Sequence, residues 1–159
     1  MTSVLITGVE GFTGRHLSGA MNAIGFEVSG TVRQAGEGGN ATNLVTDLAD
    51  IEQIRAVLKA VRPRNIVHLA AVSHVAHGDI AEIYMSNVVG TRNLFQAVVD
   101  TGVTPDRILV ASSANIYGNS SEEVLTEHSP ISPANDYAIS KVSVEHLAAI
   151  FGDKIPITI

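Results

Sequence analysis

Thr7-Gly8-Val9-Glu10-Gly11-Phe12-Thr13-Gly14 separates an apolar run, Ser3-Val4-Leu5-Ile6-Thr7, from a segment carrying Leu17, Ala20, Met21 and Ile24 at three- and four-residue spacing. The run reads as a buried first strand, and the spacing predicts a helix over 13–24 that stops at Gly25. Glycines between a strand and a helix allow a tight turn, close approach of a pyrophosphate, and near contact of helix with strand. The helix start then offers unpaired amides and a positive dipole end to phosphates. A glycine-rich turn without a ligand has the same composition. The placement between strand and helix favours a nucleotide cradle over residues 8–14.

Outward from this turn, short apolar runs alternate with helical patterns. A second strand is expected near Glu27–Val32, followed by a glycine loop through Gly36, Gly38 and Gly39. Asn43–Thr46 reads as a third strand, and Asp50 as the cap of a helix that runs to about Val61 and is stopped by Pro63. Asn65–Ala70 and Arg107–Ser112 read as the fourth and fifth strands, Ile80–Asp100 as containing a long helix, and 134–151 as the next helix. Ile155–Ile159 looks like the opening of a sixth strand. This alternation predicts an α/β domain over 1–159: a doubly wound parallel sheet covered by helices. A chain that stops inside an apolar strand leaves unpaired backbone, so a fragment of a longer polypeptide is expected.

Composition narrows the functional classes. Of 159 residues, 45% are hydrophobic and 16% charged, which excludes a disordered chain. The absence of cysteine excludes disulfides, cysteine-ligated zinc and a thiol nucleophile. Net charge is −6; residues 1–64 carry six basic and six acidic side chains, residues 65–159 four and ten. The acidic second half disfavours nucleic acid, while backbone amides can still hold one small phosphate-bearing molecule. Met1 leads straight into the first strand with no signal-peptide pattern, and no apolar stretch approaches the roughly 20 residues needed to span a bilayer, so a cytoplasmic protein off the membrane is expected. His74 and His77 have no carboxylate completing a site, so no metal is expected.

Further segments stand in a specific order: Asp47-Leu48, His68-Leu69-Ala70-Ala71, Asn87-Val88-Val89-Gly90-Thr91, Ser112-Ser113-Ala114-Asn115-Ile116-Tyr117-Gly118 and Tyr137-Ala138-Ile139-Ser140-Lys141. Together with Gly8-x-x-Gly11-x-x-Gly14, this series resembles the extended short-chain dehydrogenase/reductase family along essentially the whole chain. The resemblance implies a Rossmann-like domain lacking the family's C-terminal substrate-binding lobe. It also implies a nicotinamide dinucleotide held by Gly8, Gly11, Phe12, Thr13, Gly14, Asp47, Leu48, Leu69, Ala70, Ala71 and Asn87. Asp47 alone could be a helix-proximal cap, and Asn87 could equally bind backbone between strands. His68 reads as a satisfied core histidine.

NAD-preferring folds place an acid at the end of the second strand for the ribose diol. Gly30-Thr31-Val32-Arg33 has none, and Arg33 suits a 2′-phosphate, so NADP(H) is favoured over NAD(H). Tyr137 and Lys141, four residues apart, share a helix face. A free phenol has a pKa of about 10, and bringing one near neutrality takes roughly 4 kcal/mol, which a neighbouring ammonium and a cationic ring can supply by favouring the phenolate. The resemblance implies that Ser113 orients substrate, Tyr137 is the acid/base, and Lys141 also holds the nicotinamide ribose.

Family members act mainly on nucleotide-diphosphate sugars. Dehydratases commonly place Asp-Glu after the catalytic hydroxyl residue; here Ala114-Asn115 stands, and neither side chain exchanges a proton at neutral pH. That disfavours dehydration. The Thr31-Val32-Arg33 and Ser73-His74-Val75 segments are closest in cast to GDP-mannose-related members. The expected activity is thus a GDP-4-keto-6-deoxymannose reductase, followed by a sugar-nucleotide 4-epimerase, then a 4,6-dehydratase. A non-catalytic NADP(H) sensor or scaffold is the reading from another class; such relatives usually lose the tyrosine or lysine present here. The resemblance also implies a homodimer through the helices near 80–100 and 134–151, where Val98, Val142 and Leu147 could serve either interface or core.

Overall fold

In the computed structural model, residues 2–34, 42–73, 79–121 and 123–159 are described. The expected loop glycines Gly36, Gly38 and Gly39, and the pair His74 and His77, lie outside them. Six parallel strands form one sheet in the order β3-β2-β1-β4-β5-β6. They are β1 Ser3–Thr7, β2 Glu27–Val32, β3 Thr42–Val45, β4 Asn65–His68, β5 Arg107–Val110 and β6 Ile157–Thr158. Val4 to Thr7 are all buried, as expected of a central parallel strand covered on both faces.

Two apolar layers flank the sheet. On one side, α1 (Phe12–Ala23) lays Leu17 and Met21 against Val4, Ile6, Val28 and Val67. On the other, α2 (Ile51–Val61), α4 (Gly90–Thr101) and α5 (Asp136–Phe151) enclose Leu5, Leu58, Ile66, Leu94, Phe95, Ile108 and Phe151. The Phe95 and Phe151 rings pack with centroids 5.6 Å apart. Each such fully buried side chain contributes about 1.5–3 kcal/mol relative to exposure.

Local signals end most helices where the sequence predicts. Asp50 caps α2 by accepting from the Glu52 N–H at 2.9 Å, and Arg62 turns left-handed (φ 44°) just before Pro63. The long helix expected within 80–100 is instead interrupted. A short α3 (Ile80–Tyr84) passes into a π-helical turn, Met85–Val89, before α4. The wider turn turns Asn87 inward, where it is 1% exposed and clasps the Val72 backbone through both its N–H (2.7 Å) and its carbonyl (3.1 Å). Buried side-chain needs of this kind override helical regularity, and such turns occur mostly at functional places. A 3-10 turn, Ala114–Tyr117, not foreseen from the pattern, follows β5. Among the described residues, no helix is long and apolar enough to cross a membrane.

Candidate active site

β1 and β4 are adjacent at the point where strand order reverses. Beyond their carboxyl ends the chain turns away to opposite faces, which opens a crevice. That crevice has a volume of about 820 Å³, within the size of small-molecule sites. Its walls include Gly8, Gly11, Phe12, Thr13 and Gly14 from the glycine turn. Arg33, Asp47, Leu48, Leu69, Ala70 and Ala71 line it from the ends of β2, β3 and β4. Tyr137 and Lys141 close it from α5.

The glycine turn separates fold from ligand. Gly8 has φ +69°, and a Cβ there would lie 2.8 Å from the Ala70 Cα; a Cβ on Gly14 would lie 2.4 Å from the Gly8 carbonyl oxygen. Those two glycines are required by the backbone itself. Gly11 is less constrained: its φ of −65° suits any residue, and a Cβ would crowd the Gly8 carbonyl oxygen at 3.2 Å, a close contact but a milder one than at Gly8 or Gly14. Gly11 itself lines the crevice in front of α1. The start of α1 also has no side-chain cap and no acid in its first turn, whereas Asp50, Asp79 and Asn135 cap α2, α3 and α5. Bare amides on a turn with no side chain in the way suit a pyrophosphate.

At the other end, the side chains are buried. Tyr137 and Lys141 are 9% and 6% exposed. The Lys141 ammonium donates to the Ala111 carbonyl at 2.8 Å and lies 5.8 Å from the centre of the Tyr137 ring. Burial pushes the Lys141 ammonium down from its ordinary pKa. The Tyr137 hydroxyl has no hydrogen-bond partner among the described residues, which leaves it open to a ligand in the crevice. Asn135 starts α5 by accepting from the Ala138 N–H at 2.8 Å, fixing the helix that carries both groups.

Two expected site residues are not among those that line the crevice. Ser113 is half-buried after β5, and its hydroxyl accepts from the Asn115 N–H at 3.2 Å; the serine that lines the crevice is Ser112, which bonds the Glu145 carboxylate. Asn87 does not line the crevice. Its amide is spent on Val72 and on Ser140, whose hydroxyl it reaches at 3.0 Å, while Ser140 donates to the Tyr137 carbonyl at 2.7 Å. Asn87 thus positions the floor beneath Tyr137 and Lys141. Arg33 lines the crevice but is ion-paired with Glu82 of α3. Sequence reasoning missed Glu82, because 49 residues separate it from Arg33 and only the topology brings them together.

His68 is a core residue, as its sequence setting suggests. Its Nδ1 lies 2.7 Å from Thr7 Oγ1, and its Nε2 lies 2.8 Å from Thr91 Oγ1. Thr91 donates to the Asn87 carbonyl at 2.5 Å, so it accepts from Nε2–H; Thr7 accepts from the Ala70 N–H at 3.1 Å, so it donates to Nδ1. The ring is neutral, and burial with the nearby Lys141 charge lowers its pKa from 6.5 to about 3.

The sequence profile of the NAD dependent epimerase/dehydratase family matches residues 4–157. GDP-6-deoxy-D-talose 4-dehydrogenase of Aggregatibacter actinomycetemcomitans is 34% identical over 146 residues, covering 91% of this chain and 46% of that protein. An epimerase-like protein of Burkholderia cenocepacia has a solved structure 40% identical with TM-score 0.89, covering 98% of this chain and 52% of that one. The Thermus thermophilus UDP-glucose 4-epimerase complex with NAD is 29% identical with TM-score 0.85, covering 96% of this chain and 51% of that one. The chain therefore spans about half the length of these relatives. With the family profile running nearly end to end over a six-stranded sheet of this order, the chain belongs to the NAD dependent epimerase/dehydratase family.

Proposed function

We propose that this chain is the dinucleotide-binding half of an oxidoreductase that acts on a nucleotide-diphosphate sugar, most closely a GDP-4-keto-6-deoxymannose reductase. The observation that carries the reading is the meeting of Tyr137 and Lys141 with the glycine turn across one crevice. The cradle at Gly11 and the bare start of α1 fit the pyrophosphate, and Tyr137 and Lys141 fit the nicotinamide ribose end. When bound, the nicotinamide supplies hydride transfer at a sugar carbon. The Tyr137 hydroxyl gives its proton to the sugar oxygen in reduction, and the phenolate takes that proton back in oxidation. The Lys141 ammonium binds the ribose from beside the Tyr137 ring. The motif assigns the substrate-orienting role to Ser113, while Ser112 is the neighbouring serine that lines the crevice.

Ala114 and Asn115 lie just past β5, where elimination of water would need an acid and a base. The Aggregatibacter relative, a GDP-6-deoxy-D-talose 4-dehydrogenase, supports the GDP-deoxyhexose choice. A 4-epimerase is the second reading, supported by the likeness to the Thermus epimerase. The substrate-gripping lobe would follow residue 159 in a longer polypeptide, and the whole would dimerise through α4 and α5. Val98 belongs to the core, so that contact would use the exposed Val99, Ile139 and Ile150 instead.

The test gives the complete polypeptide GDP-4-keto-6-deoxymannose with reduced dinucleotide. Oxidation of the dinucleotide, lost in Tyr137→Phe, is expected. Dinucleotide binding without turnover of any GDP- or UDP-hexose would favour a sensor.

A further inference from the structure

The end of β2 lacks the acid that commonly receives a ribose diol, yet the folded crevice has one there. Glu82 comes from α3, pairs with the Arg33 guanidinium, and stands in the same wall as Thr31, Val32 and Asp47. We propose that Glu82 selects the dinucleotide: it holds Arg33 in an ion pair and turns the crevice toward NAD(H) and against a 2′-phosphate. This rests on the dinucleotide reading above.

Charge around Arg33 supports the assignment. The described walls carry three carboxylates, Glu10, Asp47 and Glu82, against two cations, and one of those cations is Lys141 at the far end on α5. Glu10 is held by the Asn43 side-chain amide at 3.2 Å, and Asp47 by the Ala49 N–H at 2.9 Å, so both stay in place. Both Glu82 and Asp47 act on the Arg33 charge. The Arg33 side chain is 66% exposed, so the pair itself is cheap to break. The larger obstacle is charge: a dianionic phosphate on Arg33 would still face the Glu82 carboxylate, with Asp47 also acting on Arg33. Free ribose hydroxyls meet no such conflict, because they donate to a carboxylate. A lone arginine at this position therefore does not define an NADP site when a carboxylate from another element already occupies it.

The experiment measures NADH and NADPH dissociation constants for the full chain and for Glu82→Gln, Glu82→Ala and Glu82→Gln/Arg33→Ala. The wild type should prefer NADH. Each Glu82 variant should shift the NADPH:NADH affinity ratio toward NADPH by at least about tenfold, and removing Arg33 as well should cancel that gain. A wild-type preference for NADPH, or an unchanged ratio in both Glu82 variants, overturns the proposal while leaving dinucleotide binding intact. Binding of neither nucleotide overturns the underlying reading and the proposal with it.

Discussion

The two ends of the crevice are made of different material. The glycine end is backbone: Gly8 and Gly14 are demanded by contacts of 2.8 and 2.4 Å that any Cβ would violate, and α1 starts without a side-chain cap. The α5 end is side chain: Tyr137 and Lys141 are held in place by a capped helix and by a lysine bond to the Ala111 carbonyl. A backbone site recognises a phosphate by shape and amide dipoles. A side-chain site can move a proton, because its groups titrate. On the proposed function, the contrast would separate binding from chemistry along one groove.

Removing the phenol should separate them most sharply. In the complete polypeptide, Tyr137→Phe should cut turnover by about 10²–10⁴-fold with dinucleotide affinity retained, as measured by steady-state kinetics and by titration. Equal loss of both would mean that the two ends do not act separately.

The floor between them should respond to acid. Above pH 6.5 His68 is neutral both folded and unfolded; below it the unfolded state takes a proton that the folded ring refuses until about pH 3. Stability should therefore fall as pH drops through that window, by up to about 1.4 kcal/mol per unit. Urea unfolding at several pH values reads the slope, and His68→Gln should flatten it.

Glycine substitutions test whether the first end divides into fold and ligand. Gly14→Ala should lower stability by about 1–3 kcal/mol in denaturant unfolding, because its methyl meets fixed backbone. Gly11→Ala should cost less stability than Gly14→Ala, because its nearest backbone contact is 3.2 Å rather than 2.4 Å, and should weaken dinucleotide binding in calorimetry. Matching destabilisation by both would remove the distinction.

The mildest change is at the cap of α5. Asn135→Ala should cost about 1 kcal/mol and reduce turnover only slightly, as read by thermal melting and kinetics.

Much of this was legible in the residues. Strand and helix periods predict the sheet, and Asp50 and Pro63 bound α2 where expected. The glycine turn and the Tyr137–Lys141 spacing identify the two ends of the crevice. The π turn at Met85–Val89 was not legible, because it arises from Asn87 reaching the Val72 backbone of a distant loop, and no local period encodes that reach. Arg33 was legible as a crevice residue but not as a paired one, since Glu82 lies on an element that meets β2 only in three dimensions. Ser112 and Ser113 are one position apart, and only the folded chain shows that Ser112 is the one lining the crevice.

The hydrogen bonds through His68 all run one way, from the Ala70 amide through Thr7, the imidazole and Thr91 to the Asn87 carbonyl. Such a polar thread has a sense as well as a strength: no hydroxyl in it can rotate alone without leaving two neighbours mismatched. The seam where strand order reverses is therefore laced shut beneath the groove, and β1, β4 and the helix above must shift together or not at all.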